Sequence, residues 1–139
     1  MFKSIVLGLD GSQHSLRALE SAGILAEHFD AKLILVHAYP RTSDLRRFEG
    51  YDRLVSQRKN AGQAILDDAR KRLADVSFEV EEDLLEGPAA EAILSVAETR
   101  QPDLIVLGTR GMGSVKGLVM GSVSHKVTHH APCTVMVVR

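Results

Sequence analysis

The residues best suited to chemistry lie in one glycine-rich stretch. Gly108-Thr109-Arg110-Gly111-Met112-Gly113-Ser114 directly follows an apolar run, and Gly121-Ser122-Val123-Ser124 comes soon after, where a helical pattern begins. Glycine lets a backbone approach a phosphate closely and adopt positive φ. Backbone N–H groups at such a turn, beside a helix N-terminus, form an anion site. The hydroxyls of Ser122 and Ser124 add donors there, and Arg110 adds a charge. Two familiar phosphate motifs do not fit. GxxxxGK[ST] needs Lys after Gly113, where Ser114 stands, and GxGxxG fails because Gly111-Met112-Gly113 is followed by Gly117, one residue late. The stretch also follows the fourth apolar run rather than the first. A P-loop NTPase and a standard dinucleotide-binding dehydrogenase are both disfavoured.

Other reactive side chains have plainer readings. Asp10 ends the first apolar run and serves equally well as a helix cap or as a pocket carboxylate. His125 and His129 are spaced i, i+4 on a helix, but no nearby carboxylate or cysteine completes a ligand set, so a solvated helix face is expected and no metal site. His37, inside an apolar strand, reads as a satisfied core histidine, and Cys133 as a packing residue. No Ser-His-Asp set or carboxylate pair stands out, so no catalytic residue is assigned. Arg41, Arg46, Arg47 and Arg53 belong to a loop that is either mobile or turned toward phosphates or a partner.

These residues are positioned by alternating units. Ile5-Val6-Leu7-Gly8-Leu9 is apolar at every position, which suits a strand buried on both faces. Asp10-Gly11-Ser12 is a turn with N-cap chemistry. Leu16, Leu19, Gly23, Ala26 and Phe29 then mark one helix face. A second strand is predicted at 31–38, a loop at 39–50, and a long helix at about 52–73. Phe78, Val80, Leu84 and Leu85 mark a more polar third strand near an edge, bordered by Glu79, Glu81, Glu82 and Asp83. Gly87-Pro88 opens the next helix, with Pro in its first turn. A fourth strand at 103–107, a last helix lined by Val119, Val123 and Val127, and a closing strand at 133–138 complete βαβαβαβαβ. That alternation implies a parallel sheet with helices on both faces.

The 139 residues suit a single domain, 1–139, and the net charge of −1 argues against a protein devoted to nucleic acid. One cysteine excludes an internal disulfide, and no apolar run approaches a membrane span. The N-terminal apolar run is too short for a signal peptide, so the cytoplasm is the expected compartment.

The spacing Gly108, two residues, Gly111, nine residues, Gly121-Ser122 resembles the nucleotide signature of the universal stress protein family, in its ATP-binding branch. Residues 5–12, Val36-His37-Ala38, Ala131-Pro132 and 135–139 extend the resemblance over nearly the whole chain. It implies a five-stranded, Rossmann-like α/β sheet in the order 3-2-1-4-5. It implies that Gly108, Gly111, Gly121 and Ser122 hold ribose and phosphates, with Val123 and Ser124 beside them at the helix start. Asp10 would line the pocket, the Ala38 main chain would meet the adenine edge, and Arg110 and Gly113 would lie along the phosphates. The implied ligand is ATP, with or without Mg²⁺. The implied assembly is a homodimer through the closing strand, Thr134 to Val138, with an unknown protein partner and neither membrane nor nucleic acid. The reading is a nucleotide-sensing regulatory module. A slow ATPase or nucleotidyl-transfer enzyme and a nucleotide-free scaffold are the alternatives.

Overall fold

The computed structural model describes residues 1–110 and 120–139. The strands are β1 (Ser4–Gly8), β2 (Lys32–Tyr39), β3 (Val80–Glu86), β4 (Leu104–Gly108) and β5 (Thr134–Val138). The helices among the described residues are α1 (Gln13–Phe29), α2 (Tyr51–Arg72), α3 (Ala89–Arg100) and α4 (Ser122–His130), with a short 3-10 turn at Ser43–Leu45. All strands run parallel in one sheet of order β3-β2-β1-β4-β5, as expected.

Alternate residues of the central strands feed opposite cores. Ile5, Leu7, Leu33, Leu35, Leu104 and Val106 pack beneath α1 and α2. Val6, Ile34, Val36, Ile105 and Leu107 pack beneath α3 and α4. Strands covered on both sides must be apolar throughout, which is why β1, β2 and β4 read as unbroken hydrophobic runs. The fourth strand begins one residue later than the sequence suggests. The Asp103 carboxylate accepts the N–H groups of Lys3 and Ser4 at 2.7 and 2.9 Å, and its own N–H donates to the Ser4 carbonyl at 2.8 Å, so the residue ties the entry of β4 to that of β1. Pro88 is the N-cap of α3 rather than part of its first turn. α4 begins at Ser122, and Val119 lies outside the described residues.

β3 is an edge strand dressed in charge. Arg100 donates to both Glu81 and Asp83, the latter at 3.1 Å. Lys32 reaches Glu81 at 3.6 Å, and Arg70 reaches Glu82 at 2.7 Å. The Arg100 hydrogen bond holds the Glu81 carboxyl below its ordinary value of 4.5. Arg70, then Gln63, does the same for Glu82. The Thr42 N–H, then its hydroxyl, does so for Glu86.

A carboxyl whose folded pKa is depressed contributes stability above its unfolded value and loses it as pH falls through the folded one. The urea midpoint is therefore expected to fall as the pH drops below about 4.5. Arg100→Gln should make that fall shallower, as read from urea titrations across the acid limb. An unchanged slope would assign the acid lability to other carboxyls.

Candidate functional site

Three strand ends build the crevice. Gly8 pairs with Val36, and Leu7 with Val106. Carrying these registers past the ladder aligns Asp10 with Ala38 on one side and with Thr109 on the other. This row lies beyond the carboxyl ends of β2, β1 and β4, where the strand order turns back on itself. Ligands of open α/β sheets sit at that place.

The β1 exit is held from two sides. The Leu9 N–H donates to the Val36 carbonyl at 2.8 Å. His37, buried at 8% exposure, donates from Nδ1 to the Leu9 carbonyl at 2.6 Å. A carbonyl only accepts, so Nδ1 carries the proton and His37 is the satisfied core histidine expected. Beyond Leu9, the Asp10 carboxylate accepts the Ser12 N–H at 2.9 Å. The cap of α1 is Ser12, whose Oγ accepts the Ser15 N–H at 3.2 Å. Asp10 thus braces the turn and leaves the capping to Ser12.

The β4 exit turns on Thr109, which the sequence did not single out. Its N–H donates to the Val138 carbonyl at 2.7 Å. Its carbonyl accepts the Gly121 N–H at 2.6 Å and the Ser124 hydroxyl at 2.7 Å. Its own hydroxyl lies 3.1 Å from His14 Nδ1 on α1. Ser124, expected as a hydroxyl donor, is buried and donates to the Thr109 carbonyl. Ser122 is exposed, Val123 half-buried and Gly121 buried. Gly121 is the N-cap of α4, and among the described residues no side chain hydrogen-bonds there as a cap. Among the described residues the opening N–H groups of α4 therefore meet the row of strand ends without a side-chain acceptor, which suits an anion.

Gly108 has a packing duty of its own. A Cβ there would stand 2.7 Å from His14 Cβ and 2.8 Å from the His14 carbonyl carbon. α1 can approach β4 this closely only over glycine. Arg110 is half-buried beside this contact and joins no ion pair among the described residues. Gly111 and Gly113, the remaining expected phosphate residues, lie outside the described residues.

Two further concavities are present among the described residues, and the first borders this row through Leu9 and Gly11, on either side of Asp10. A cavity of about 240 Å³ under the Gly11 turn, between α1 and α2, is smaller than usual ligand pockets. A groove of about 760 Å³ runs along the outside of α1, lined by Leu16, Leu19, Ile24 and Leu73, and no candidate residue reaches it. Among the described residues no group of His, Cys, Asp or Glu could hold a metal, and no helix is long and apolar enough to cross a membrane.

Fold and crevice together define a doubly wound α/β protein with an anion-compatible helix start at its topological switch point. The model of the universal stress protein family matches residues 1–139. A universal stress protein of Thermus aquaticus is 40% identical over 139 residues, covering all of both chains. The solved universal stress protein UspA from Lactobacillus plantarum has a TM-score of 0.84 at 26% identity, covering 99% of this chain and 97% of that one. A universal stress protein solved in complex with cAMP has a TM-score of 0.77 at 31% identity, again covering 99% and 97%. This chain belongs to the universal stress protein family.

The packing duty of Gly108 has a measurable consequence. Gly108→Ala is expected to cost about 1–3 kcal/mol in urea unfolding, because backbone and not a flexible side-chain tip stands in the way. Wild-type stability in this variant would mean that α1 can move off β4 freely.

Proposed function

We propose that this protein is an ATP-binding stress-response module, a cytoplasmic nucleotide sensor that passes the occupancy of its crevice to a partner. The observation that carries this reading is the place of the α4 start, which Thr109 fixes at the end of β4, opposite Asp10, and which has no side-chain cap among the described residues. The relative solved with cAMP supports an adenine nucleotide as the ligand. The residues present fit such a group. The N–H groups of Ser122 and Val123 and the exposed Ser122 hydroxyl are placed to receive phosphate. Gly108 and Asp10 border the ribose region, and the main chain at Ala38 borders the adenine. Arg110 supplies positive charge, and Gly111 and Gly113 complete the phosphate loop in this reading.

Binding rather than rapid turnover follows from the same geometry. The Asp10 carboxylate already accepts the Ser12 N–H, and the Ser124 proton is committed to Thr109. The reading assigns neither of them as a general base. ATP bound with Mg²⁺ would supply a reactive phosphoanhydride; the chain's own part is to hold and orient it.

The reading includes a homodimer through β5. Val135, Met136, Val137 and Val138 are half-buried along an edge that carries no charge before Arg139. Met136 and Val138 pack on the α1 side and Val135 on the opposite side. A second copy across a two-fold axis would cover the edge.

Calorimetry on nucleotide-free protein should show saturable binding of Mg-ATP, tighter than that of cAMP. No heat with either nucleotide would overturn the nucleotide reading, and tighter cAMP would reassign the ligand. Ser122→Glu separates binding from folding. A carboxylate at a helix start favours the helix. The same charge beside phosphates should weaken ATP binding by about tenfold or more, ~1.4 kcal/mol. Unchanged affinity with unchanged stability would move the phosphates elsewhere.

Val137→Lys tests the assembly. Light scattering at tens of micromolar should give twice 15.2 kDa for the wild type and a shift toward monomer for the variant. A wild-type monomer would refute the dimer.

A further inference from the structure

We propose that the segment from Arg41 to Lys59, which leads from β2 into α2, is a docking surface for an acidic segment of another protein that carries an apolar side chain. Between residues 41 and 59 six basic side chains stand against three acidic ones, in a chain whose net charge is −1. Elsewhere Lys32, Arg70, Arg72, Arg100 and Lys126 each reach a carboxylate, and the described cations that do not, such as Lys3, Arg17 and Lys71, are scattered along the chain. Here Arg58 alone does so, at 3.3 Å from Asp44. Among the described residues Arg46, Arg47, Arg53 and Lys59 form no ion pair and are exposed. Phe48, beside Arg47, is 60% exposed. An aromatic ring left in water among arginines has the composition of a protein-interface hot spot.

The surface is held on a scaffold. The Thr42 N–H and hydroxyl both donate to Glu86 Oε1, at 2.6 and 2.8 Å, pinning the segment to the end of β3. Leu45 is buried, and the Phe48 N–H donates to its carbonyl at 3.0 Å. Arg58 on α2 reaches back to the Arg41 carbonyl. A loop already ordered in this way loses little further entropy when it binds.

The charge pattern selects the class of partner. Asp44, Glu49 and Asp52 interleave with the cations and would repel a continuous phosphate backbone. A peptide can place acids opposite the arginines and an aliphatic or aromatic side chain on Phe48. Docking here does not require the nucleotide crevice to be filled.

The test is fluorescence anisotropy on the full chain with a short labelled peptide of Asp and Glu around a central Leu-Phe-Leu. Saturable binding is expected. It should weaken about tenfold, or ~1.4 kcal/mol, in Phe48→Ser and in Arg46→Glu combined with Arg47→Glu. A peptide with Gly-Ser-Gly at its centre should lose a similar factor. Circular dichroism checks each variant, and Arg53→Glu stands in for a variant that fails to fold. Absence of saturable binding, equal binding of the two peptides, or indifference to Phe48→Ser would overturn the proposal. So would tighter binding of oligothymidylate or of phosphatidylserine vesicles, which would reassign the surface to nucleic acid or to lipid.

Discussion

The geometry of the crevice depends on one buried residue. Thr109, 5% exposed, uses its N–H on β5, both lone pairs of its carbonyl on α4, and its hydroxyl on α1. A carbonyl with two acceptor sites is thereby fully used, and no polar group there is left to bear a desolvation cost. The arrangement sets the start of α4 at the end of β4 and the first turn of α1 beside it. Asp10 faces this point across one strand spacing because His37 holds the Leu9 carbonyl on the other side. Two buried side chains thus define the two walls of the site without lining it with reactive groups.

The two edges of the sheet are managed differently. β3 carries carboxylates that Arg100, Arg70 and Lys32 reach, and a charged strand resists pairing with another chain. β5 carries none, and its side chains are only half covered. The same contrast recurs among the cations. Those over the sheet edge are satisfied within the chain, while Arg46, Arg47, Arg53 and Lys59 of the segment after β2 are exposed and form no ion pair among the described residues. Charge satisfied internally serves the fold; charge left outward, on a segment pinned by Thr42 to Glu86, is available to something else.

Much of the fold was legible because a strand buried on both faces must be apolar at every position, which β1, β2 and β4 are. The strand order was not carried by that pattern; it came from the resemblance. The site was legible as a place more than as a set of roles. Ser122 and Ser124 look equivalent in sequence. Two residues on a helix are separated by about 200° of rotation, so one faces solvent and the other Thr109. The cap of α1 fell to Ser12 because Asp10 is engaged with the Ser12 N–H. Thr109 and His14 meet across 95 residues, and Thr42 and Glu86 across 44. No local spacing rule reports such pairs, and the order of the Arg-rich segment depends on the second of them.

Gly108 shows why a glycine signature alone underdetermines function. Its missing side chain is required by the backbone of His14, whatever else the crevice holds. A family could keep that glycine for packing after losing its ligand, so the spacing that attracts attention in the sequence has two sufficient causes. The start of α4 differs. Gly121 packs its N–H onto Thr109 but offers no side chain to the first turn, where Ser12 does so for α1. A helix start left without a side-chain acceptor gains nothing for stability. It becomes useful when an outside anion takes the acceptor's place. Among the described residues α2 and α3 also start without a side-chain cap, at Gly50 and Pro88, so what favours an anion at α4 is its place beside Asp10 at the switch point and not the missing cap alone.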